Sequence, residues 1–164
     1  MQLDTNRLFD QSRQREIPVA LYQPITNETY QKIVIFSHGY GHNYQKNYLV
    51  YSYLTNYLAS KGYFVVSIQH ELPTDSILPF TGIPQVVRLP FWERGVENIQ
   101  FVINSLKTSN PSLDFEHITL IGHSRGGGIV TIKASENNKI SKVISWAGVS
   151  DFGARFPKDE KTLQ

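Results

Sequence analysis

Ile118-Thr119-Leu120-Ile121 is a short β-branched run that ends in Gly122-His123-Ser124-Arg125-Gly126, and a glycine-opened helical stretch continues to Ala134. This strand, turn and helix decide the fold. The turn is a G-x-S-x-G. Three fixed residues near 7% abundance recur by chance about 0.05 times in a chain of this length, so the motif is weak without its context. The context supplies a buried strand before it and a helix after it. In such a turn a side chain two residues to either side of the serine collides with the backbone, so both positions require glycine. Gly127 and Gly128 let the helix approach its neighbours closely.

Other short apolar runs lie upstream and downstream. Ile17 to Tyr22 reads as an edge strand, with Pro18 near its start where a missing N–H is tolerated. Lys32 to Phe36, Tyr63 to Ile68 and Lys142 to Trp146 are β-branched runs without alternation, the pattern of strands covered on both faces. Between them, Val50, Tyr53, Leu54, Tyr57 and Leu58 recur at helical spacing and Gly62 follows as a stop. Trp92, Val96, Ile99, Ile103 and Leu106 form one apolar face that ends before Pro111. Strands alternating with helices predict an α/β domain: an open, mostly parallel sheet with helices on both faces, joined by right-handed crossovers. Pro73, Pro79, Gly82, Pro84 and Pro90 mark residues 71–90 as a long loop at a strand end, where loops line sites.

Composition narrows the function. The 164 residues are 40% apolar and 18% charged, which is enough for one globular core. A net charge of +2 without basic runs gives no reason to expect nucleic acid or an anionic membrane. The absence of cysteine excludes disulfides, a thiol nucleophile and Cys-ligated zinc or iron–sulfur sites. No run is long enough for a spanning helix, and the first twenty residues lack the apolar core of a secretory signal, so the expectation is a cytoplasmic chain, the alternative being one that starts after a removed or omitted segment. There is no G-x-G-x-x-G after the first strand and no phosphate-binding Gly-Lys-Ser/Thr loop. No cofactor or metal is expected. His38 and His42 stand four apart on a glycine loop, a poor two-His site.

Ser37-His38-Gly39-Tyr40-Gly41 closes the second buried run. Attack of a serine on a carbonyl makes an oxyanion, which needs two backbone N–H groups already aimed at it. Arg125, at the helix start, would offer one. Tyr40, flanked by Gly39 and Gly41, would offer the other. With Gly122-His123-Ser124-Arg125-Gly126-Gly127, this loop resembles the α/β-hydrolase-fold serine esterases, in particular the platelet-activating-factor acetylhydrolase, chlorophyllase and dienelactone-hydrolase-like groups. The resemblance extends from about Arg13 to Pro157, including Trp146-Ala147-Gly148-Val149-Ser150-Asp151 as the end of the sixth strand. It implies an α/β-hydrolase fold lacking its last two strands, a single but incomplete domain over residues 1–164, with Ser124 as nucleophile.

The resemblance also implies a triad in the order Ser, acid, His. No histidine follows Ser124; the five are His38, His42, His70, His117 and His123. His38 is expected to serve as scaffold in the loop, His123 to turn away within the elbow, and His117 to lie at the wrong end of its strand. His42 and His70 follow strand C-termini and are the substitute bases. Asp151 is the acid candidate, with a loop-capping role as the alternative; Asp75 and Asp114 read as turn residues. Gly39, Tyr44 and Phe80 are candidate pocket residues, with Phe91 and Trp92 beside them and plain packing as the alternative. The expected function is carboxylester hydrolysis of a small acyl ester through an acyl-enzyme; the alternative is a non-catalytic hydrolase-fold domain binding acyl compounds or a partner. A sixth strand left as an apolar parallel edge predicts self-association.

Overall fold

The run that ends at Ser124 is the fifth of six strands in the computed structural model, which describes residues 1–25 and 31–146. The strands are β1 (Gln2–Asp10), β2 (Arg15–Gln23), β3 (Gln31–Ser37), β4 (Phe64–Ile68), β5 (Leu113–His123) and β6 (Ile140–Trp146). They form one open mixed sheet in the order β1-β2-β4-β3-β5-β6. The β4-β3-β5-β6 part is parallel, and β2 joins β4 antiparallel.

One strand differs from expectation. Gln2–Asp10 is polar and exposed at nearly every position, so it carries no hydrophobic pattern, yet it pairs antiparallel with β2 along its whole length. A local turn sets this register. The Asp10 carboxylate accepts the Ser12 N–H at 3.0 Å and the Arg13 Nε–H at 2.6 Å, and Gln14 takes a left-handed φ of 49°. The edge therefore belongs to β1, and the Ile17–Tyr22 segment is an inner strand.

Both faces of the central strands β2, β4, β3 and β5 are covered, whereas β6, expected to be covered as well, is exposed from Ser141 to Trp146. Along β3, Ile33 and Ile35 face one core, and Val34 and Phe36 face the other. This two-sided burial is why the run shows no alternation. The first face is covered by α3 (Leu89–Ser109) through Trp92, Val96, Ile99, Val102, Ile103 and Leu106, and by α4 (Arg125–Glu136) through Ile129 and Val130. The second face is covered by α1 (Ser52–Ser60), which a left-handed Gly62 at φ 91° follows. The short α2 (Pro84–Val87) lies within the loop before α3.

The α1 stripe is rotated from the sequence reading. Val50, Tyr53 and Tyr57 face solvent, while Tyr51, Leu54, Leu58 and Ala59 pack on the sheet. Tyrosine carries a polar tip, so its helical spacing does not by itself mark the buried face.

The helix after β3 and the helix after β5 lie on opposite faces of adjacent strands. That topological switch opens a crevice at the strand C-termini, where ligands bind in open α/β sheets. The loop after β3 and the turn after β5 border it.

Candidate active site

Ser124 sits between β5 and α4 at φ 51°, ψ −119°. This combination is nearly restricted to glycine, and a side-chain-bearing residue held there stores strain. The surroundings enforce it. The Ser124 N–H donates to the Trp146 carbonyl at 2.8 Å, and the Ser124 carbonyl accepts the Gly127 N–H at 2.9 Å. A Cβ on Gly122 would lie 2.2 Å from the Gly126 carbonyl oxygen; one on Gly126 would lie 2.2 Å from that of Ser37. Both glycines are required by backbone contact. Gly126 also fixes how closely the turn packs against the end of β3.

In the loop after β3, His38 is fully buried. Its Nδ1–H donates to the Gly39 carbonyl at 2.7 Å, and its Nε2 accepts the His70 N–H at 3.1 Å. These two bonds select one neutral tautomer, and burial lowers its pKa to about 4. Gly39 and Gly41 have negative φ values, unlike Gly62 and Gly82. They are small because of close approach: a Cβ on Gly39 would meet His123 Nδ1 at 2.7 Å, and one on Gly41 would meet the Asn47 side chain at 2.3 Å. The Tyr40 hydroxyl accepts the Leu78 N–H at 3.0 Å. Arg125 is the first residue of α4, where a helix leaves its N–H groups without intrahelical partners. Among the described residues neither the Tyr40 nor the Arg125 amide has a backbone partner.

Two cavities meet at Ser124. The larger, about 260 Å³, is lined by Tyr40, His42, Leu78, Phe80, Trp92 and Arg125, with Arg88 at its side. The smaller, about 190 Å³, is bordered by Gly39, Gly41, Asn47, Tyr51 and His123. Tyr40 and Ser124 line both. The Tyr51 hydroxyl and His123 Nδ1 are 2.6 Å apart, and the His123 ring packs on Trp146 at 4.9 Å between centroids.

The structure brings some predicted residues to Ser124 and leaves others away. His42, at φ 52°, lines the larger cavity, with its ring stacked on Phe80 at 6.2 Å. Tyr44 is 70% exposed and lines neither cavity; its carbonyl accepts a bond from Gln69. Trp92 belongs both to the core and to the cavity wall. His70 is buried with Nε2 2.9 Å from Ser37 Oγ, and burial drives its pKa well below the ordinary value. His117 is exposed and pairs with Asp114 at 3.0 Å. Asp151 lies outside the described residues. Asp75 makes the expected turn bond to the Leu72 N–H and also pairs with Arg15 at 2.8 Å.

Glu71, to which the sequence reading assigned no role, is fully buried against the Arg125 guanidinium. Arg125 Nη2 also donates to the Phe91 carbonyl at 2.7 Å. Burial lowers the Arg125 pKa to about 9, so it remains charged at neutral pH opposite the Glu71 carboxylate. The sequence signal for this pair is faint: a lone acid at a strand end in a proline-rich loop. Among the described residues no cluster of three or more metal-ligating side chains is present, and no helix is long and apolar enough to cross a membrane.

The family model for the serine aminopeptidases S33 matches residues 28–163. The chain belongs to this family. As an S33-type α/β hydrolase it is 30% identical over 112 residues to a probable 1-alkyl-2-acetylglycerophosphocholine esterase of Arthroderma benhamiae, covering 61% of this chain and 28% of that one. It is 29% identical over 132 residues to a protein of Acanthamoeba polyphaga mimivirus described as an alpha/beta hydrolase, covering 79% and 44%. The chain thus spans less than half the length of these curated relatives. An alpha-beta serine hydrolase homologue from Coxiella burnetii superposes with a TM-score of 0.65 at 18% identity, covering 92% of this chain and 65% of that one. The α/β-hydrolase fold and a hydrolase family, with an esterase among the relatives, are therefore established.

Proposed function

We propose that this S33-family hydrolase is a serine carboxylester hydrolase whose nucleophile is Ser124. The observation that carries the reading is the strained φ of 51° at Ser124, at the meeting point of two cavities. Strain at one serine between a strand and a helix is the conformation a nucleophile elbow needs. Ser124 Oγ attacks the ester carbonyl and its proton passes to a base. The carbonyl oxygen, now negative, is held by the Tyr40 and Arg125 amides. Collapse of the tetrahedral species expels the alcohol and leaves an acyl-serine, which water then hydrolyses.

An ester is favoured over a peptide on chemical grounds. An amine leaves only after protonation by a general acid, so a peptide asks more of the site than an ester does. An alcohol of low pKa departs without that help. His42 lines the larger cavity beside Ser124 and is the imidazole to test as base, with Asp151 as the acid candidate. Tyr40, Leu78 and Phe80 offer apolar surface for one side of the ester.

The test is turnover of p-nitrophenyl acetate by the chain beside Ser124→Ala and His42→Ala. The reading expects activity that the serine variant abolishes. Equal rates for wild type and Ser124→Ala favour the second reading, a non-catalytic binding domain.

A further inference from the structure

Glu71 follows β4, and its carboxylate is removed from water. A buried carboxylate is costly unless it is paired and held. Here the partner is the Arg125 guanidinium, itself only 4% exposed. The segment carrying Glu71 is fastened to the loop after β3. The His70 N–H donates to His38 Nε2 at 3.1 Å, and His70 Nε2 lies 2.9 Å from Ser37 Oγ. The Gln69 side chain donates to the Glu71 carbonyl at 2.6 Å. Glu71 is thus tied on one side to the residue whose amide follows Ser124. On the other side it is tied, through His70 and His38, to the loop that carries the Tyr40 amide.

We infer that Glu71 is a positioning residue that keeps the Arg125 and Tyr40 amides converging on a single oxygen. The inference rests on the reading of Ser124 as nucleophile. A buried ion pair is a poor source of net stability, since apolar residues of similar volume often replace it without loss. Its geometry is what an apolar pair cannot reproduce. The guanidinium is a planar fork, held by a carboxylate at one edge and by the Phe91 carbonyl at 2.7 Å. The Arg125 guanidinium is therefore held through both terminal nitrogens, Nη1 by Glu71 and Nη2 by Phe91, on the residue directly after the strained serine.

The experiment compares wild type, Glu71→Gln and the double variant Glu71→Leu/Arg125→Met in p-nitrophenyl acetate kinetics and thermal unfolding. Glu71→Gln leaves a buried cation unpaired and lowers the unfolding midpoint. The double variant removes both charges and recovers the midpoint. Positioning predicts that kcat stays down about 10- to 100-fold in the double variant, somewhat less than the loss of a whole oxyanion donor, while KM changes little. If Glu71→Gln fails to fold, the double variant carries the comparison. Recovery of kcat together with the midpoint overturns the proposal and leaves Ser124 as nucleophile. A wild-type chain that is folded and inert overturns both.

Discussion

Ser124 and the glycines around it show how far single residues constrain this fold. Gly126 abuts the carbonyl oxygens of Ser37 and His38, at 2.2 and 2.6 Å from an added Cβ, and backbone cannot swing aside as a side-chain tip can. Gly126→Ala is expected to cost about 1–3 kcal/mol by overpacking, and to abolish any turnover, because the turn must move away from the loop after β3. Gly62 is a useful contrast: its φ is 91° and nothing lies within 4 Å of an added Cβ. Gly62→Ala should cost about 1–2 kcal/mol from backbone conformation alone and leave Ser124 untouched. Urea unfolding of the two variants, with esterase assays alongside, checks the pair. The serine and Gly122 were legible in the sequence because the turn's own backbone dictates them, whereas Gly126 stands in the motif but its contact is with Ser37 and His38, which only the tertiary fold brings there. Glu71 was not, since its burial depends on Arg125, which only the tertiary fold brings to it. Gly39 and Gly41 have no left-handed backbone; contact with His123 and Asn47, again brought by the tertiary fold, is what leaves no room for a side chain there.

At the scale of elements, the C-terminal ends of β3 and β4 carry two buried neutral histidines. His38 has its pKa lowered to about 4 from 6.5, and His70 is lowered well below 6.5, both chiefly by burial. A histidine depressed in the folded state takes its proton first in the unfolded chain. Its contribution is complete above pH 6.5 and is lost as pH falls toward the folded value. His38 alone would forfeit roughly 3 kcal/mol between pH 6.5 and about 4, and His70 adds in the same direction. The lowered carboxylates Asp10, Asp75 and Asp114 act in the same sense but only below about 3.8. Unfolding free energy measured from pH 7 to 4.5 should therefore fall steadily; a flat profile contradicts the burial of these imidazoles. In α3, Ile99 is wholly buried, and Ile99→Ala is expected to cost about 2–5 kcal/mol in urea unfolding. The helix was legible because its apolar spacing is regular and Trp92, the aromatic residue on that stripe, is buried. The polar β1 was not, because only its pairing with β2 makes it a strand.

For the whole molecule, the sheet order explains why one crevice gathers the loop after β3, the turn after β5 and the long segment before α3. The alternation of strands and helices made that architecture readable before the structure, since each crossover leaves few alternatives. Among the described residues β6 is the outermost strand on its side, with Val143 38%, Ile144 51% and Trp146 46% exposed. Such an edge invites pairing between copies. We propose self-association through it. Equilibrium sedimentation should show a weight-average mass above 18.7 kDa that rises with concentration, and Ile144→Lys should suppress the rise. A wild-type chain that stays monomeric at high concentration removes this proposal without touching the site.

A nucleophilic Ser124 is tested best by a covalent probe. The folded chain is treated with a fluorophosphonate ester, digested and mapped by mass spectrometry. One phosphonylated peptide is expected, modified at Ser124, with no labelling of Ser124→Ala. A folded wild-type chain that takes no label, or takes it at another serine, would show that Ser124 is not the nucleophile.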